Sequence, residues 1–177
     1  RFFYARIGRV FTECDQWRHD ALRYVAQLAP DIVILGSTAT YGFSRSDWIE
    51  GTTRVLGSVA GAAGKVAVLR ATPVLPFDGP ACLAPRSALH RFLAGGNACA
   101  SAAADPQNDD VFQWLELAAA RFENARVVDM TDAVCPSGVC RAQLDDMVVY
   151  RDSQHLTATF AASLSAILKE RLGLTNG

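Results

Sequence analysis

The chain has 177 residues, half of them hydrophobic and a fifth charged, with 17 basic residues against 18 acidic ones and a net charge of −1. That size suits a single domain with a sizeable core. The even spread of charge offers nucleic acid no basic stripe, and the longest apolar stretch, VLGSVAGAAGKVAVL, is broken by three glycines and a lysine and cannot span a bilayer.

The opening, RFFYARIGRVF, reads as the remnant of a strand. From Asp15 to Leu28, helical spacing puts Trp17, Ala21, Tyr24, Val25 and Leu28 on one face, with Trp17 expected in the core. Pro30 stops that helix. DIVIL (31–35) has the continuous apolar character of a buried strand, and GSTATYGFS follows as a loop. Ser46 and Asp47 can start a second helix, with Trp48, Val55, Leu56 and Val59 inward; Trp48 could also line a sugar surface, and core is the favoured role. KVAVLRA (65–71) is the next strand. A long loop with Pro73, Pro76, Pro80 and Pro85 leads to a short helix around 86–94 that carries His90. Asp105 and Pro106 begin a helix reaching about Phe122, with Trp114 inward. ARVVDM (125–130) and MVVY (147–150) read as strands, and a final helix over 157–172 turns Phe160, Leu164, Ile167, Leu168 and Leu172 to one side.

Such alternation predicts an α/β fold with a parallel sheet. An α/β domain of this kind normally opens with a central strand whose loop carries chemistry. No such strand opens this chain, so residues 1–177 are expected to form one domain shortened at its N-terminus. The start at Arg1, without Met, suits a trimmed product.

The five cysteines form no CxxC, and with three histidines they assemble no zinc spacing, so no metal is expected. Cys135 and Cys140 bracket PSGV, a turn able to bring them to bridging distance. Cys82 and Cys99 share a Gly/Pro-rich segment and could form a second pair, leaving Cys14 odd. Disulfides imply an oxidising, extracytoplasmic compartment; the alternative is five reduced thiols in the cytosol. Placement in loops favours the disulfides.

The chemistry is concentrated in YRDSQHLT. Asp152 and His155, three apart on one loop, can set a carboxylate against imidazole Nδ1 and leave Nε2 as a base. The plainer role is a turn-capping aspartate and a histidine ahead of a helix capped by Thr157. Arg151 could hold a substrate carboxylate, although pairing with an acid is favoured. His19 and His90 are expected to face solvent.

YRDSQHLT leading into an amphipathic helix resembles the C-terminal catalytic block of SGNH (GDSL-type) hydrolases, and more narrowly the SGNH domain fused to membrane acyltransferase-3 proteins of bacterial envelopes. CDQWRHDAL, PDIVILGSTATYG, VAVLRATPVLPFDGPACL and VVDMTDAVCPSGVC follow in the order of that family, so the resemblance covers essentially the whole chain. It implies a three-layer α/β/α, flavodoxin-like fold of about five parallel strands. It also implies Asp152 as orienting acid, His155 as base, and ester chemistry through a serine, by hydrolysis or O-acyl transfer to a glycan. The partners implied are an acyl donor, a glycan acceptor and a multi-pass membrane domain, with no cofactor. No GDS occurs here, and the expected serine then lies upstream of Arg1, together with a partner for Cys14. Where the family carries its oxyanion block, this chain has Gly36, Ser37 and Thr38, which are either N–H and hydroxyl donors to an oxyanion or ordinary turn residues. Ser37 lacks the G-x-S-x-G elbow of an exposed nucleophile.

Overall fold

The computed structural model describes residues 3–84 and 99–174. The expected helix around 86–94, with His90, lies outside the described residues. Two compact units are present, one made of 1–35, 43–68 and 114–127, the other of 36–42, 69–113 and 128–177.

In the first unit, β1 (Phe3–Tyr4) and β2 (Arg9–Val10) form a small antiparallel hairpin in place of the single strand remnant expected there. Helix α1 (Thr12–Leu28) follows, then strand β3 (Ile32–Gly36). Helix α2 (Arg45–Val59) starts one residue before the expected Ser46. Ser44 is the true cap, and its hydroxyl and the Asp47 carboxylate each accept the other's backbone N–H. Strand β4 (Lys65–Leu69), the part of helix α4 (Pro106–Ala119) from Trp114 onward and strand β6 (Ala125–Val128) complete the parallel framework. The sheet order is β3-β4-β6, with β4 central. Hydrogen bonds from Lys65 N–H to Asp31 O (2.9 Å) and from Val66 N–H to Asn124 O (2.8 Å) run in the sense of parallel strands.

The turn into β4 depends on Gly64. A Cβ there would lie 2.6 Å from Asp31 O, so only glycine admits so close a backbone approach. Asn124 Nδ2 closes the same end by donating to the carbonyls of Ala60 and Ala63. Trp48, Leu56 and Val59 of α2 are buried, as are Val66, Ala67, Leu115 and Ala118, which puts Trp48 in the core as expected. Trp114 is half-buried. Trp17 corrects the reading of α1: it is 71 % exposed, and Tyr24 and Leu28 are exposed with it. Periodicity identifies an apolar face, but a face is buried only where another element covers it.

In the second unit, the segment after β4 contains a short helix, α3 (Gly79–Leu83), and β5 (Ala100–Ala102) pairs antiparallel with β7 (Val139–Arg141). Helix α5 (Thr131–Val134) precedes the cysteine loop. The MVVY segment does not join the parallel sheet. Only Met147–Val148 is a strand, β9, in a tight antiparallel hairpin with β8 (Gln143–Leu144), and Tyr150 makes an isolated antiparallel bridge to Leu156. The last helix is split into α6 (Ala158–Ser163) and α7 (Ser165–Arg171), where the Ser163 hydroxyl bonds the Phe160 carbonyl at 2.7 Å. Leu75, Val134, Ala142, Val149, Tyr150 and Phe160 form this unit's core together with Cys135 and Cys140. Among the described residues no helix is long and apolar enough to cross a membrane.

Candidate active site

Residues 148–157 form a closed loop at the base of the candidate site. Thr157 N–H donates to Val149 O (2.8 Å), and its hydroxyl donates to Val148 O (2.6 Å) while capping α6 through Phe160 N–H. Arg151 N–H donates to His155 O at 2.9 Å. Inside this frame, Asp152 Oδ1 accepts the backbone N–H groups of Gln154 (2.8 Å) and His155 (2.7 Å), and Oδ2 lies 2.7 Å from His155 Nδ1.

The electrostatics follow from those contacts. The two backbone donors, Gln154 first and then His155, together with the imidazole, bring the Asp152 carboxyl down to about 2. A carboxylate ionised at neutral pH only accepts, so Nδ1 carries the proton and Nε2 presents its lone pair. The imidazole is 62 % exposed and open to a reacting group. Arg151 Nε stands 3.8 Å from Asp152 Oδ2, so Arg151 pairs with an acid. His19 is exposed, as expected.

The loop is braced by the segment that follows β4. Leu75 N–H donates to Ser153 O (2.7 Å), Gly79 N–H to Asp152 O (3.3 Å), and the Tyr150 hydroxyl to Pro73 O (3.0 Å). Gly79 is tightly fitted: an added Cβ would meet Tyr150 Cβ at 3.1 Å and the carbonyls of Tyr150 and Asp152 at 3.3 Å. Gly79→Ala should therefore push on the backbone that aims Asp152. The expected result is an about tenfold fall in kcat with little change in melting temperature, read by steady-state kinetics and a thermal melt.

Gly36, Ser37 and Thr38 begin the segment after β3. The Ser37 hydroxyl donates to Thr38 O (3.3 Å), and the Thr38 and Thr40 hydroxyls bond each other at 3.0 Å. Gln107 Nε2 holds the next residue through Ala39 O at 2.7 Å. No hydrogen bond joins these three residues to Asp152 or His155. Among the described residues no serine hydroxyl bonds the His155 ring.

The cysteines pair as Cys82–Cys99 and Cys135–Cys140, and Cys14 is free and exposed. Ser137 and Gly138, both at positive φ, make the turn inside the second bridge. Cys135 Sγ lies 3.8 Å from the Tyr150 hydroxyl, directly under the Asp-His loop.

Sequence reading missed a charged cluster at the carboxyl ends of β4 and β6. Arg70, only 12 % exposed, donates to Asn108 Oδ1 (3.3 Å), Asp129 Oδ2 (2.8 Å) and Asp109 Oδ1, with its guanidinium over the Phe112 ring. Arg171 donates to Asp129 O and makes a two-pronged contact with Asp132 at 2.7 and 2.8 Å. Arg70, Asp129, Asp132 and Arg171 line a cleft of about 450 Å³ with Thr131, Cys135 and Gly138. The cluster pins the post-strand segments and α7 together. The available signal was an Arg and an Asp placed just after two strands, in VLR and VVD.

No curated protein and no solved structure matches the chain. A family model described as "SGNH domain (fused to AT3 domains)" matches residues 2–170. The parallel α/β sheet agrees with the SGNH fold, and the two disulfides fit an extracytoplasmic protein. The chain belongs to the family of SGNH domains that occur fused to AT3 domains, domains of the hydrolase and acyltransferase type.

Proposed function

We propose that this chain is the catalytic SGNH domain of an O-acyltransferase that moves an acetyl-type group onto a hydroxyl of a cell-envelope glycan. The observation that carries the reading is the 2.7 Å contact between His155 Nδ1 and an Asp152 carboxylate fixed by two backbone N–H groups, with the His155 side chain exposed. A histidine held in this way serves as a base, a task that a pure binding module does not require.

The nucleophile is a serine on polypeptide outside residues 1–177, and the two units work with it as one domain. Nε2 takes the serine proton as Oγ attacks the donor carbonyl; the tetrahedral intermediate collapses, the donor oxygen leaves with that proton, and an acyl-serine remains. A glycan hydroxyl then attacks, giving its proton to Nε2, and the serine recovers a proton as the acyl ester departs. Backbone N–H groups of Gly36, Ser37 and Thr38 are candidates for steadying the oxyanion. An AT3 membrane domain of the same polypeptide or complex would supply the acyl group, and the disulfides support work outside the cytoplasm.

Acetyl release from a chromogenic ester, measured on the polypeptide with its serine segment, tests this. A sugar acceptor should raise turnover and appear as the acetylated product. Release unaffected by sugar, with acetate alone formed, would make the domain an esterase. No turnover at all would make it a binding module.

A further inference from the structure

The charged cluster around Arg70 and Arg171 borders open space. Its cleft of about 450 Å³ is in the range of small-molecule sites, about 300–1,000 Å³. Every residue that lines it belongs to the second unit. Covalent and ionic ties hold the walls before any ligand arrives. The Cys135–Cys140 bridge closes the turn that carries Gly138, where an added Cβ would meet nothing within 4 Å. Arg171 holds Asp132 with two prongs and donates to Asp129 O as well.

The charges of the cleft decide what it can take. Arg70 already donates to Asn108, Asp109 and Asp129, and Arg171 to Asp132 and the Asp129 carbonyl, so both guanidiniums are engaged. Two cations stand against three carboxylates, those of Asp109, Asp129 and Asp132. An acidic ligand would add a fourth carboxylate with no cation left to meet it, and a cationic one would face Arg70 and Arg171 at short range. The unused capacity lies on Asp132. An ionised carboxylate can accept about four hydrogen bonds. Asp132 Oδ1 accepts from Arg171 and from Ala133 N–H (2.9 Å), Oδ2 accepts from Arg171 alone, and the side chain is 73 % exposed. The Arg171 guanidinium holds this carboxyl below its ordinary range, so it stays an acceptor at neutral pH. A carboxylate locked in place yet open to solvent is a pre-organised acceptor, and the matching ligand offers hydroxyl donors without a charge of its own.

We infer that the cleft bordered by Arg70, Asp129, Asp132 and Arg171 is a subsite for an uncharged sugar, whose hydroxyls donate to Asp132 Oδ2 and from which acidic sugars are turned away. Cys135, which lines this cleft, also lies 3.8 Å from the Tyr150 hydroxyl beneath the Asp-His loop, so cleft and loop share one support. The subsite rests on the cleft alone; that its sugar is part of the acyl acceptor rests on the function proposed above.

The test titrates the full polypeptide with the methyl glycosides of glucose, galactose, mannose and N-acetylglucosamine, and with methyl glucuronide as the acidic counterpart of the first. At least one neutral glycoside should shift the backbone amides of Asp132, Gly138 and Arg171 saturably in nuclear magnetic resonance spectra. Methyl glucuronide should bind at least about tenfold more weakly than methyl glucoside. Asp132→Asn should weaken the neutral glycoside at least about tenfold, and α7 stays pinned because Arg171 still donates to Asp129 O. The sugar should then raise the melting temperature of the unaltered protein and not that of the variant. No shift at the cleft with any of the four, tighter binding of the glucuronide, or equal sugar-induced stabilisation of both forms would overturn the inference. Saturable shifts at the cleft without ester turnover keep the subsite and remove the transferase. Sugar-stimulated turnover without shifts at the cleft does the reverse.

Discussion

His155→Ala is expected to lower ester turnover by about 10³–10⁴-fold, in the range found when one member of a catalytic triad is removed. The side chain is exposed and its one ring hydrogen bond is to Asp152, so its loss leaves the core intact and the melting temperature unchanged. Asp152→Asn should cost a similar factor for a different reason. The amide oxygen can still accept from Gln154 and His155 N–H, and the loop persists. The imidazolium formed during proton transfer then loses its counter-charge. The pH profile adds a check that a merely structural role would not pass. The Asp152 carboxyl is held at about 2, below its ordinary 3.8, so its contribution to loop order is complete above about pH 4 and fades only as the pH falls towards 2. A fall in activity above pH 4 must therefore arise from another group. A folded and fully active His155→Ala variant would sink the triad assignment.

The contrast between that pair and the Arg70 cluster shows what the amino-acid order can carry. Asp152 and His155 are three residues apart, and the local turn alone brings them together, so their contact was legible in the spacing. Arg70 meets Asn108 and Asp129, 38 and 59 residues away, and only the parallel sheet makes them neighbours. The strands expected at 31–35, 65–71 and 125–130 were legible because each segment is mostly apolar, as buried parallel strands are, and they are observed as Ile32–Gly36, Lys65–Leu69 and Ala125–Val128. MVVY has the same composition, but its pairing is set by the hairpin turn at Asp145, whose φ is +48°. For α1 the spacing located an apolar stripe, but Trp17, Tyr24 and Leu28 are exposed, because periodicity does not say which face another element covers.

Removing the disulfides should produce the largest change in stability, in two separable steps. Cys82–Cys99 closes the longer loop, 17 residues apart, and chain entropy assigns it about 3 kcal/mol; Cys135–Cys140, five apart, is worth about 2 kcal/mol on the same reasoning. At about 2–4 °C per kcal/mol for a chain of this size, Cys82→Ala/Cys99→Ala should lower the melting temperature by about 6–12 °C. The shorter bridge is the one that matters to the site. Both its cysteines are buried in the core that holds Tyr150, whereas Cys82 and Cys99 are half-buried. Burial raises the Tyr150 phenol to about 12, so it remains a donor to Pro73 O and keeps the segment after β4 fastened to the Asp-His loop. Cys135→Ala/Cys140→Ala opens space beneath that ring and should cost activity as well as stability. Mild reductant should open the half-buried bridge first with turnover preserved, and the buried one only as the fold is lost. Thiol counting would then rise from one, Cys14, to three and finally to five. If both bridges opened together with no loss of turnover, the disulfide beneath Tyr150 would have no part in aiming Asp152.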